Sequence, residues 1–363
     1  MKIAVILPSR SEALFDKTSK VIFGGANVQM YQIAKEFGQC DEVDCYTLIG
    51  DYETTNFDER DKFNLIKTFR DTDRIFVKFW KYHKKLQQIK PDAVLQRGLT
   101  VFSSLFAVYC KIYGISFVYM FASDTEAGGR YQESGKRARL FKWLLANARI
   151  LITQNTYQKG MLSKQFGRES HIIRSGFYLK AEPQNQGDYV LWVARHSHLK
   201  RPELFIELAS QNPQWHFKMV CPPSLAPNYD DLAQKAKKVK NLEFIKFVPF
   251  GNIDEYFEKA KVFVNTSDYE GFPQTFLQAT MNGTPILSLL VNPDSLLTEH
   301  QIGFCCNGSM QLLQEKLVLL SSNADLYQTM SKNAFNYAQL NHDIKKNVKK
   351  IISLISANSA HKH

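Results

Sequence analysis

Glu270 stands in the stretch VFVNTSDYEGFPQTFLQATMNGTPIL, residues 262–287, and its neighbours suggest what a carboxylate could do there. VFVN (262–265) is apolar and β-branched, as a strand buried in a parallel sheet should be. SDYEG (267–271) is built from turn formers, Pro273 suits a first helical turn, and Asn282-Gly283 suits a helix end. TPIL (284–287) begins the next strand. Glu270 therefore falls at the carboxyl end of a strand and the amino end of a helix. Open α/β sheets bind ligands in that place, and free N–H groups at a helix start favour an anion such as a phosphate. A carboxylate beside a phosphate site is not suited to the phosphate itself. It is suited to accept hydrogen bonds from hydroxyl groups, such as those of a sugar.

Other groups fall at equivalent positions. Arg195 and Lys200 frame the loop between the strand-like YVLWVAR (189–195) and a helix begun by Pro202. Two cations on a strand-to-helix turn would hold a diphosphate. Gly24-Gly25 precede an amphipathic helix carrying Val28, Tyr31, Ile33, Ala34 and Phe37, and let backbone approach a ligand closely. There is no G-x-G-x-x-G, so a dinucleotide site is not supported. Ser123, Asp124 and Thr125 follow a strand at 115–121, again a ligand position. His196 and His198 have no acid nearby in sequence, and Asp71-Thr72-Asp73 lies in a charged, surface-like segment, so no metal site is expected.

Together these motifs resemble the retaining nucleotide-sugar glycosyltransferases of family 4, which have the GT-B fold. The donor-site signature of that family is matched by Glu270, Gly271, Phe272, Pro273, Ala279, Gly283 and Pro285, and departs at Gln278, where the family has a second Glu. The resemblance spans nearly the whole chain; it is strongest over 189–304 and weak over 50–140. It implies two Rossmann-like α/β domains facing across a cleft, the second holding a nucleotide-sugar and the first an acceptor. Glu270 would orient the sugar, and Gly271, Phe272, Pro273, Gln274 and Thr275 would line the donor site. Gln278 would bind the ribose, less strongly than a carboxylate. The turn at Val248 and Pro249 would read the nucleobase, and Gly24 and Gly25 would approach the diphosphate. Arg195, Lys200 and the helix start would stabilise the leaving diphosphate in place of a metal ion. Asp124 takes the place of a polar catalytic residue that is often His in the family. The implied reaction moves a sugar from a nucleoside-diphosphate donor, a UDP-sugar first among them, to a saccharide or lipid-linked acceptor. It proceeds with retention, without metal or cofactor, in bacterial cell-envelope or exopolysaccharide synthesis.

The elements that must position these groups are consistent with this. A length of 363 residues suggests two domains, and the polar, Pro- and Gly-containing KAEPQNQGD (180–188) is the natural divider, giving 1–183 and 184–363. The helix expected at 343–355 would return to the first domain, as is common in GT-B enzymes. Lys and Arg exceed Asp and Glu by 46 − 35 = 11, which calls for an anionic partner. No nucleic-acid-binding signature accompanies the charge, so nucleic acid is not expected. The basic residues Arg60, Lys62, Lys67, Arg70, Lys78, Lys81, Lys84 and Lys85 interleave with Phe63, Phe69, Phe76, Phe79 and Trp80. Lys136, Arg137, Arg139 and Lys142 adjoin Leu140, Phe141 and Trp143. Such faces can lie on anionic lipid. The six cysteines show no paired framework and read as reduced thiols, so the expected location is the cytoplasm, peripherally on the inner membrane face. The apolar run at the N-terminus is too short for a signal peptide core. Residues 98–122 are long enough for a membrane span but are interrupted by Lys111 and Gly114, and read as a helix (99–112) and a strand (115–121). Competing readings are a catalytically weak or inactive nucleotide-sugar-binding protein at a membrane surface, a basic membrane-surface or nucleic-acid module, and an epimerase or phosphorylase on the same fold.

Overall fold

The computed structural model describes residues 1–15, 23–51, 64–128, 135–181, 187–224 and 227–359. The chain divides into two compact units: Met1–Tyr178 with Asp343–His363, and Leu179–His342.

The first unit is built on seven parallel strands: β1 (Lys2–Ile6), β2 (Asp44–Ile49), β3 (Asn64–Lys67), β4 (Ala93–Arg97), β5 (Ser116–Met120), β6 (Ile150–Thr153) and β7 (His171–Ile172). Their order is β3-β2-β1-β4-β5-β6-β7, so the direction of winding reverses between β1 and β4. The inner strands are apolar on both faces because helices cover both. Ile3 and Val5 pack on one side of the sheet, and their neighbours Ala4 and Ile6 pack on the other. One side carries α1 (Gly25–Phe37) and the C-terminal helix Ile344–Ser359. The other carries α2 (Ile75–Ile89), α3 (Val101–Ile112), the short α4 (Asp124–Ala127), α5 (Lys136–Asn147) and α6 (Thr156–Phe166). The segment suspected of spanning a membrane is α3 followed by β5, and no helix among the described residues is long and apolar enough to cross one.

The C-terminal helix belongs to this unit because of its pattern. Ile344, Val348, Ile351, Ile352 and Ile355 form one apolar stripe sealed into the core, while Lys345, Lys346, Lys349 and Lys350 lie off it. Asn347 donates from Nδ2 to the Arg174 carbonyl at 2.8 Å, and the Ile344 N–H donates to the Phe177 carbonyl at 3.1 Å. Gly176 permits this approach: a Cβ there would sit 3.0 Å from Ile344 Cα.

The second unit repeats the plan with six parallel strands: β8 (Tyr189–Val193), β9 (His216–Val220), β10 (Leu242–Ile245), β11 (Ala260–Asn265), β12 (Ile286–Ser288) and β13 (Gly303–Cys305). Their order is β10-β9-β8-β11-β12-β13, with the reversal between β8 and β11. α7 (Pro202–Gln211) and α8 (Tyr229–Lys237) pack on one face with a later helix, Met310–Ser322. α9 (Ile253–Glu258), α10 (Gln274–Met281), the short Leu296–Glu299 helix and Ala324–Asn341 pack on the other.

The division falls at Tyr178, ahead of the expected 183, because Lys180 is tied into the second unit. Its carbonyl accepts from Gln339 Nε2 at 2.7 Å, and its ammonium pairs with Glu258 and with Asn282 Oδ1. Residues 182–186 of the divider lie outside the described residues.

Candidate active site

In the second unit the two loops that leave the reversal point, after β8 and after β11, are the ones that carry Lys200 and Glu270. Lys200 ends a short 3₁₀ turn, His198–Lys200. Its Nζ lies 2.5 Å from Glu270 Oε2. Glu270 Oε1 accepts from Asn265 Nδ2 at 2.8 Å and from Ser267 Oγ at 2.7 Å. The carboxylate is thus fixed by three donors, one from the end of β11 and one from each loop. The loops are also joined beneath it. Trp192 Nε1 donates to Thr266 Oγ1 at 2.9 Å, Thr266 Oγ1 donates to the Lys200 carbonyl at 2.7 Å, and the Asp268 N–H donates to the Leu199 carbonyl at 2.9 Å. Arg201 closes the outer edge, its Nη1 3.2 Å from Asp268 Oδ1. Neither Arg201 nor Asp268 was singled out in the sequence, because their roles arise from a contact 67 residues apart.

Gly271 and Phe272 follow Glu270 half-buried, the Phe272 ring lying 5.2 Å from His342. Pro273 caps α10 rather than opening its first turn, and Gln274 and Thr275 begin the helix. The first turn of such a helix presents N–H groups that have no acceptor within it. Asn282 caps the far end, and Gly283 then takes φ +68°, which ends the helix. Arg195 lies just beyond β8, exposed, and its side chain makes no hydrogen bond or ion pair among the described residues, with Lys200 and Glu270 included. Val248 is half-buried against the core, and Pro249 is exposed ahead of the turn Phe250–Asn252.

Gln278 lies one turn into α10 and is 6% exposed. Its Nε2 donates to Asp254 Oδ1 at 3.3 Å, from the first turn of α9. Burial raises the Asp254 carboxyl above its ordinary range, while the Gln278 hydrogen bond and the charge of Lys180 pull it back down. Asp254 was missed in the sequence, since nothing in NIDEYFEKA marks it out.

The remaining residues singled out belong to the first unit. The Gly24 N–H donates to Asn27 Oδ1 at 3.1 Å and Gly25 opens α1, so both glycines stand at the carboxyl side of β1. Asp124 is the first residue of α4, and its Oδ1 accepts from Asn155 Nδ2 at 3.0 Å and Gln158 Nε2 at 2.8 Å. Beneath it lies Glu126, 3% exposed, which accepts from the Tyr119 hydroxyl and from the Ala122 N–H. Burial pushes its carboxyl up to about 7, against the pull of the Ala122 N–H and of the buried Arg97 guanidinium.

The polar residues read as surface groups have local partners. Asp73 Oδ2 accepts from the Arg70 N–H and from Lys81 Nζ ahead of α2. His196 is buried with its ring 5.5 Å from Tyr229. Among the described residues no group of three or more His, Cys, Asp or Glu could hold a metal ion.

Two Rossmann-like parallel-sheet domains, each with its loops at a reversal point, define the GT-B fold. Residues 179–337 match the family described as "Glycosyl transferases group 1". A 128-residue stretch is 30% identical to an "Uncharacterized glycosyltransferase" of Haemophilus influenzae, covering 34% of this chain and 35% of that protein. The match therefore spans about a third of the relative's length. The structure is similar to that of a sucrose-phosphate synthase from Thermosynechococcus elongatus, with a TM-score of 0.77 and 16% identity over 100% of both chains. It is also similar to Anabaena Alr3699/HepE, solved in complex with UDP and glucose, with a TM-score of 0.76 and 17% identity over 98% of this chain and 100% of that one.

Proposed function

We propose that the protein is a glycosyltransferase that moves a sugar from a nucleoside-diphosphate donor, a UDP-sugar first among them, to a saccharide or lipid-linked acceptor in bacterial envelope or exopolysaccharide synthesis. The observation that carries this reading is the Lys200–Glu270 pair at the reversal point of the second sheet. A carboxylate held rigidly by Asn265, Ser267 and Lys200 is an acceptor preorganised for sugar hydroxyls. Lys200 carries three N–H donors, so it can keep Glu270 and still donate to a phosphate oxygen. With the N–H groups of the first turn of α10, it would stabilise the charge that develops as the diphosphate leaves. Arg195, whose side chain has no hydrogen-bond or ion-pair partner among the described residues, would add a second cation. These charges do what a metal ion would otherwise do, and no cofactor is required. Glu270 is a poor nucleophile when three donors hold its oxygens, which favours retention by front-side attack over a covalent glycosyl-enzyme.

The test is a thermal-shift screen with UDP-, GDP- and ADP-sugars, followed by measurement of nucleoside diphosphate release. A UDP-sugar should raise the melting temperature, and release should survive EDTA. Stabilisation by none of the donors would overturn the reading. Binding without any donor breakdown would make the protein a nucleotide-sugar-binding protein instead.

We also propose that the first unit rests on an anionic lipid surface. Phe76 is 85% exposed and Trp80 52% on α2, Ile112 is 73% exposed on α3, and Trp143 is 62% exposed on α5. Lys84 covers the Trp80 ring at 3.7 Å, and Lys111, Arg139 and Lys142 are exposed on α3 and α5. Not every residue of the expected face is available: Phe69 is buried, Phe79 packs on Phe106, and Arg60, Lys62 and Phe63 lie outside the described residues. The protein should sediment with phosphatidylglycerol-containing vesicles at low salt and be released by salt, and a Phe76→Ser/Trp80→Ser variant should bind less. Equal, negligible binding to neutral and anionic vesicles would refute this.

A further inference from the structure

We infer that Arg97 is the receptor for an oxyanion on the acceptor, a carboxylate or a phosphate, so that the acceptor is an acidic molecule. This rests on the proposed function, in which the first unit takes the acceptor. Arg97 is the last residue of β4 and is 3% exposed. Its Nη2 donates to Ser175 Oγ at 3.3 Å, while Nε and Nη1 are buried with no hydrogen-bond partner among the described residues. No carboxylate forms an ion pair with it among those residues. Nε and one Nη are the edge of the guanidinium fork that binds a carboxylate or phosphate through two parallel bonds.

The charge on this side chain is real and uncompensated. Burial lowers the guanidinium only to about 10, so it stays cationic at neutral pH. The acid that acts on it is Glu126, whose oxygens accept from the Tyr119 hydroxyl and the Ala122 N–H instead. Burial raises that carboxyl to about 7, so near neutrality Glu126 supplies only part of a countercharge. A buried cation left in this state is destabilising, and an anion that fills its open donors removes the penalty.

Its place in the sheet suits a ligand. Gln96 pairs with Ile6 across the reversal between β4 and β1, so Arg97 stands at the carboxyl end of that point, where open sheets form a binding crevice. Gly98 follows it at φ +79°, and Gly24 and Gly25 stand on the loop after β1; all three are half-buried and bring backbone without side chains to this edge. The one bond that Arg97 makes is long, and Ser175 Oγ donates separately to Gln154 Oε1 at 3.2 Å. The side chain can therefore leave Ser175 for a charged acceptor at little cost.

The experiment compares wild type, Arg97→Met and Arg97→Lys by thermal shift and calorimetric titration. The probes are glucuronate, galacturonate, glucose 6-phosphate and glycerol 3-phosphate, each against glucose, galactose or glycerol with sodium chloride at equal ionic strength. At least one acidic probe should stabilise wild type where its neutral counterpart does not. A response to carboxylates alone makes the acceptor an acidic sugar, and one to phosphates alone makes it a phosphorylated molecule. Arg97→Met should lose that affinity by about tenfold or more, and Arg97→Lys, which keeps the charge without the fork, should lose less. Both variants should keep the stabilisation by a UDP-sugar. Without any probe, Arg97→Met should melt no lower than wild type, since it removes a buried unpaired charge and strands no partner. A clearly lower melting temperature would make Arg97 structural and overturn the inference. So would stabilisation of wild type by a nucleotide-sugar but by no acidic probe, or loss of the UDP-sugar response in both variants, which would assign the cation to the donor; the proposed function would stand in each case. Stabilisation of wild type by no UDP-, GDP- or ADP-sugar would overturn the proposed function and the acceptor assignment with it.

Discussion

Lys200→Ala should remain folded and lose about 10²–10³-fold in turnover, the usual effect of removing one preorganised donor from a developing negative charge. The lysine is partly solvent-exposed, its side chain 26% accessible, so loss of its ion pair with Glu270 should cost at most about 1 kcal/mol in stability. The melting temperature should move little while nucleoside diphosphate release collapses. Glu270→Gln should be comparably severe for a different reason. The oxygen of the amide can serve Asn265 and Ser267, but its NH₂ then faces the Lys200 ammonium, donor against donor. Near-wild-type release in both variants, with unchanged melting, would remove the pair from the reaction.

A second large effect is expected at Glu126, and it is a pH effect. Its carboxyl is raised from about 4.5 to about 7 in the folded protein, chiefly by burial. Between those values the folded state keeps a proton that the unfolded state has released. The group therefore favours the folded state most below the lower value, and this contribution is lost as pH rises through about 7. A difference of that size corresponds to on the order of 3 kcal/mol. Glu126→Gln cannot ionise and should lack this loss. Denaturant unfolding of both proteins at pH 4.5 and pH 8 should show the variant gaining on wild type as pH rises. A stability difference that stays constant across this range would show that Glu126 does not titrate there.

The parts of this molecule that were legible in the sequence are those where one local pattern answers to one physical demand. Strands buried on both faces read as unbroken apolar runs, so β1, β8 and β11 could be placed before any contact was known. The Glu270 loop was legible because turn formers, a proline and a terminal Asn-Gly must occur in that order for a strand to pass into a short helix. β3 was not, since Asn64–Lys67 is a four-residue edge strand, half-exposed within a charged stretch. Arg201, Asp254, Arg97 and Glu126 escaped notice for another reason. Each is an ordinary polar residue in its own segment, and only the fold sets Arg201 against Asp268, Asp254 against Gln278, and Arg97 and Glu126 into one buried region.

The C-terminal helix has a consequence for biosynthesis. The second unit is one continuous segment, Leu179–His342, and every residue of its core is present once that segment has left the ribosome. The first unit, although translated earlier, must wait for Ile344, Val348, Ile351, Ile352 and Ile355 to cover one face of its sheet. Until then the apolar side chains of β1, β4 and α1 are left uncovered on that face, an aggregation-prone surface that a nascent chain would carry through most of its synthesis. The domain made first is thus the domain finished last.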